Sequence, residues 1–186
     1  MRLLNIRRLF IMSLALGLLT IGIPVLQAQT PDSEKITKLF TEIRVHAVLA
    51  EDDADLLESY TRSTVSWESH SRRLNDMTVH VKDLLKDYNE AQAIRGEASD
   101  WQKEAIDQIM PLVKGMADHL SASIDHLNKN QTHTNLKPWH DYVRGNREYV
   151  FRTADLIRDY VDYGEAKAKA DMLEKKLQSP SSSGQE

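Results

Sequence analysis

WESHSRRLNDMTVHVKDLLKDYNEA, residues 67–91, decides the fold. Its inward candidates fall at Trp67, His70, Leu74, Met77, Val81, Leu84, Tyr88 and Ala91. The steps between them alternate three and four residues, which keeps all of them on one stripe of an α-helix. A helix with so long a stripe is not stable alone in water and must be covered by other helices. The chain supplies three more of similar length, so the expected fold class is all-α, an antiparallel up-down-up-down four-helix bundle. The 186 residues suit one domain, and 7 Gly and 5 Pro leave few of the turns a sheet needs.

Working outward, the spacing predicts helices over about 33–60, 66–95, 99–128 and 138–177, with the bundle spanning 29–178. The first carries Ile36, Phe40, Ile43, Ala47, Ala50, Ala54 and Leu57 inward after the cap chemistry of Pro31, Asp32 and Ser33. Its acidic run Glu51, Asp52, Asp53 and Asp55 lacks the glycine turn and alternating ligands of a calcium loop, and reads as a solvated face. Gly96 is expected to close the second helix in the left-handed conformation. Ser99-Asp100-Trp101-Gln102 is a capping box that opens the third.

The third helix places Ile106, Ile109, Val113, Met116, Leu120, Ser123 and Leu127 inward, with Ala105, Leu112, His119 and His126 in a flanking row spaced by seven. Because this periodicity continues across Pro111, a bend is expected there rather than a break. On the fourth helix the inward set is Trp139, Tyr142, Val143, Asn146, Tyr149, Val150, Thr153, Leu156, Ile157, Tyr160 and Tyr163. Up-down pairing exhausts the third helix near Glu165, so residues 166–178 are expected to protrude by roughly 18 Å at about 1.5 Å per residue. Residues 179–186 are expected to be a disordered tail.

The N-terminus reads as an address. Arg2, Arg7 and Arg8 precede an almost wholly apolar run over 9–25, and Leu26-Gln27-Ala28 ends in a small residue, which is the pattern of a signal peptide cut after Ala28. The expected location is the periplasm or the exterior of the cell, with no stable membrane insertion after cleavage. The alternative is a protein anchored in the membrane through an uncleaved first segment. Loss of the three arginines takes the net charge from −4 to −7, which argues against a nucleic-acid partner. The absence of Cys excludes disulfides, thiolate metal sites and Cys nucleophiles.

Ser66-Trp67-Glu68-Ser69-His70, Trp101-Gln102 with Ala105-Ile106-Asp107, His126-Leu127-Asn128 and Tyr160-Val161-Asp162-Tyr163-Gly164 resemble a group of exported bacterial helical-bundle proteins with no assigned activity. The resemblance covers most of the mature chain. It implies an exported bundle and assigns a role to no residue.

Antiparallel pairing levels His70 with Ile124, next to His126, and His126 with His140. Three imidazoles from three helices are therefore expected near one end, with His133, Glu68 and Asp141 close by and Trp67 and Trp139 flanking. Imidazoles with a carboxylate suit Zn, Cu or Ni ions, so His70, His126 and His140 are the candidate metal ligands, with Glu68, His133 and Asp141 in reserve. The competing account is end-of-core histidines bonded to Asp or backbone. Haem would need an axial Met or His pair at one level facing an apolar slot; Met77 and Met116 are level, as are His46 and His80, but His46 lies beside its seam and His80 is off the Trp67 stripe. No nucleophile elbow or buried carboxylate pair favours an enzyme. The expected function is thus non-enzymatic and needs no cofactor: an exported bundle working through protein–protein interaction, with a partner held through residues 166–178. A metal-binding or metal-sensing bundle is the alternative.

Overall fold

The protein is all-helical, a four-helix bundle. The structure, a computed structural model, describes residues 30–178; the expected leader at 1–28 and the tail at 179–186 lie outside the described residues. Helix α1 spans Glu34–Tyr60, α2 Trp67–Ala93, α3 Asp100–Lys129 and α4 Lys137–Gln178, with single 3-10 turns at Arg95–Glu97 and Gln131–His133. No described helix is long and apolar enough to cross a membrane.

Helices α1 and α3 each pack on both α2 and α4. Cross-helix pairs show the sense of the packing. Asp53 meets Arg73 and His46 meets Asp87 between α1 and α2; Glu51 meets Arg158 and Arg44 meets Asp162 between α1 and α4; His119 meets Tyr149 and His126 meets Tyr142 between α3 and α4. At each interface the numbers rise on one helix as they fall on the other, so these neighbours run antiparallel.

The stripes meet in one core. His70, Leu74, Met77, Val81, Leu84, Tyr88 and Ala91 are buried, with Trp67 half-buried at the end of the row. Ala47, Ala50 and Ala54 of α1 are buried in the same core. Helix α3 runs unbroken through Pro111, which lies on its exposed side. That position needs no buried partner for the carbonyl the ring displaces.

Three sequence expectations change. Gly96 does not adopt the left-handed conformation: α2 ends at Ala93, the Ile94 N–H bonds back to the Gln92 carbonyl, and the chain leaves through the 3-10 turn, in which Glu97 and Ala98 donate to the Ile94 and Arg95 carbonyls. The tyrosines of α4 form an edge row instead of an inward one. Tyr142, Tyr149 and Tyr160 are half-buried and Tyr163 is exposed, while Ala154, Val161 and Gly164 take the inner positions. The reason is size: small residues let α4 approach its neighbours while the phenol rings cover the seam with α3. The acidic run on α1 is a solvated face only in part, with Asp52 and Asp55 exposed. Asp53 turns inward to Arg73, while Glu51 and Asp55 pair with Arg158 and Arg147 of α4.

Gln102 shows how the ends are tied. Its buried carboxamide oxygen accepts from the backbone N–H groups of Ser33 and Ser99, and its amide donates to the Ser33 carbonyl and the Thr37 hydroxyl. Every hydrogen-bonding position of that side chain is used. The residue that caps α3 therefore also clamps the start of α1.

Candidate functional site

The 61–66 and 130–136 connections come to one pole. Tyr60, His70 and Trp139 form successive edge-to-face contacts at 5.5 Å, and His126 stacks on Trp139 at 6.2 Å and lies tilted against Tyr142 at 4.4 Å. The Trp139 indole N–H donates to His70 Nδ1 at 3.2 Å inside the core. His70 is thus an acceptor at Nδ1 and carries its proton on Nε2.

The expected metal ligands divide as follows. His70 is buried and engaged by Trp139; His126 is held between two aromatic rings; His140 is half-buried, with its Nε2 buried and lacking a hydrogen-bond partner. Asp141 turns outward to Lys137 and Arg144, and Glu68 and His133 are exposed. Among the described residues no three His, Asp or Glu gather closely enough to hold an ion. What this pole does offer is a buried neutral imidazole. Burial first, then the nearby His140, holds the His70 ring below the ordinary histidine range.

That shift has a signed consequence. A base whose folded pKa is depressed stabilises the fold fully above its unfolded value, about 6.5, and loses that contribution as pH falls through the folded value. Unfolding free energy should therefore fall on acidification below about pH 6.5, with at most ~1.4 kcal/mol per pH unit from this one proton. His70→Gln should flatten that part of the curve, which chemical unfolding between about pH 5 and 8 measures. Equal slopes in both proteins would show that His70 carries none of it.

A second polar group, not apparent in the sequence, lies along α1 and α2. Asp53 is 6% exposed, accepts from Arg73 and lies 3.6 Å from His80 Nε2; Asp87, also buried, lies 3.6 Å from His46 Nε2. The two imidazoles stack at 6.4 Å. Burial pushes the Asp87 carboxyl up, against the pull of His46 and Lys86. The available signal was the i+7 spacing of Arg73 and His80, which puts both on one side of α2.

The third arrangement is at the opposite pole. The Trp101 indole packs against Phe40 at 6.1 Å and Tyr163 at 5.4 Å, and its N–H donates to Asp32 at 2.7 Å. Lys167 reaches the same carboxylate at 3.0 Å. Burial pushes the Asp32 carboxyl up, but the hydrogen bonds it accepts at this corner outweigh burial and hold it below the usual range. Gly164 is required by contact: a Cβ there would stand 2.7 Å from the Trp101 ring. Beside the indole, Trp101, Leu156, Tyr160 and Tyr163 line a groove of about 360 Å³ whose remaining edge is Glu104 and Asp159.

Fold and surface together define an all-helical four-helix bundle with an aromatic groove at one pole and a histidine cluster at the other. No family model, curated protein or solved structure matches the chain.

Proposed function

We propose that the protein is an exported, non-enzymatic bundle that acts through protein–protein interaction, and that residues 166–178 are its contact surface. The supporting observation is the end of α4. Lys167 pairs with Asp32, two residues before α1, and beyond that pair α4 carries Met172 at 62%, Leu173 at 47% and Leu177 at 86% exposure. Ala166, Ala170, Leu173 and Leu177 recur at steps of four and three, the spacing that seats one amphipathic helix against another. Such a seam fits a helical segment of a partner whose apolar stripe matches it.

A pull-down from the native envelope fraction, with the full mature chain and with residues 166–186 deleted, tests the reading. Loss of at least one specific partner on deletion is the expected result. The bundle core lies upstream of the deletion, so circular dichroism should report the same thermal transition for both chains. Equal recovery of every partner overturns the proposal.

A further inference from the structure

We infer that the groove between α3 and α4 formed by Trp101, Tyr160 and Tyr163 binds a small organic cation of the quaternary-ammonium class. Trp101, Tyr160 and Tyr163 bring three aromatic rings to the lining and Leu156 adds an aliphatic side chain. Ring faces carry the negative end of the aromatic quadrupole and attract a cation placed over them. Neither Glu104 nor Asp159 at the rim pairs with a Lys or Arg among the described residues; Glu104 accepts only the Gln108 amide. The neighbouring cations are committed elsewhere, Lys103 to Asp100, Arg158 to Glu51 and Asp155, and Lys167 to Asp32 and Asp171. The rim is therefore uncompensated negative charge.

That field reaches into the groove. Burial raises the Tyr160 phenol, and the charge of Glu104 raises it further. A metal ion or a primary ammonium would lose its hydration against Leu156 and the rings with too few oxygen ligands to replace it. A quaternary ammonium is weakly hydrated, has no N–H to satisfy, and gains from each ring it touches. Anions face two carboxylates and no donor cation in the lining. The space of about 360 Å³ exceeds what a trimethylammonium group fills, which leaves room for the substituent attached to it.

The Trp101 wall of the groove is preformed. Phe40 behind the indole, Asp32 on its N–H and the space above Gly164 fix the Trp101 plane, so little ordering is left for the ligand to impose. Tyr163, 52% exposed, is the wall that a ligand would cover.

Choline and tetramethylammonium are the probes, titrated calorimetrically into the full mature chain at constant ionic strength. The control is 3,3-dimethyl-1-butanol, the uncharged carbon analogue of choline. Saturable binding of both cations is expected, with the analogue at least about ten-fold weaker because only the cation meets the ring quadrupoles and the rim. The double variant Glu104→Gln, Asp159→Asn changes only exposed positions and should weaken choline by about five-fold or more. Tyr163→Leu, which keeps an apolar wall but removes the ring, should weaken it comparably while leaving the thermal transition in place. Three results overturn the inference: no saturable heat up to about 50 mM probe, equal binding of the uncharged analogue, or unchanged choline affinity in both variants.

Discussion

Trp139→Ala is expected to lower the unfolding free energy by about 3–5 kcal/mol, the largest single effect in the molecule. Trp139 is 1% exposed and is the largest fully buried side chain among the described residues. Truncation removes its burial, leaves a cavity between α2, α3 and α4, and strands His70 Nδ1 without its donor. Trp139→Phe separates these causes: it keeps most of the ring and loses the N–H, so it should cost about 1–3 kcal/mol. Urea unfolding of the three proteins checks both values. An alanine variant within about 1 kcal/mol of the native protein would mean that the loop pole collapses to fill the space.

Arg73→Met should be the next most damaging change, at about 3 kcal/mol. It leaves the Asp53 carboxylate buried with no cation except a histidine that is charged only when protonated. Breaking a buried pair costs more than the pair is worth, because the remaining charge keeps its desolvation penalty. Removing both partners as Arg73→Met, Asp53→Leu should recover most of the loss, since an apolar pair of similar volume suits that interface. The same unfolding assay reads the cycle. A double variant no more stable than the single one would place the cost in lost packing of the arginine stem rather than in the stranded charge.

The exposed ion pairs between α1 and α4 belong to a different scale. Arg147 with Asp55 and Arg44 with Asp162 involve side chains open to water, where each pair contributes about 0–1 kcal/mol. Their effect is to align α4 along α1, and through Lys167 and Asp32 to set where α4 leaves the bundle.

Periodicity alone was enough to read the helical class and the α2 stripe from Trp67 to Ala91, because a buried face imposes three-four spacing on whatever residues fill it. Ala47, Ala50 and Ala54 were legible for the same reason. The end of α2 departs from the expected left-handed turn because Gly96 permits that turn without compelling it, and the chain takes a 3-10 alternative. Tyr142, Tyr149, Tyr160 and Tyr163 fall on the inward side by spacing, which reports a face but not how far around the helix the core extends. Loop lengths likewise bring His70, His126 and His140 toward one pole, whereas the bond from Trp139 to His70 depends on the angle at which α4 meets α2.

By itself, the sequence determined which faces are apolar, since that property belongs to residue identity and a period of 3.6. Only the tertiary structure decided that Asp53 would be buried on Arg73, that Gln102 would clamp two helices, and that Trp101, Tyr160 and Tyr163 would enclose a groove edged by Glu104 and Asp159. Each joins residues far apart in the chain, and their distance is set by helix rotation and register. Those quantities come from packing side chains into a shared volume, which no one helix encodes alone.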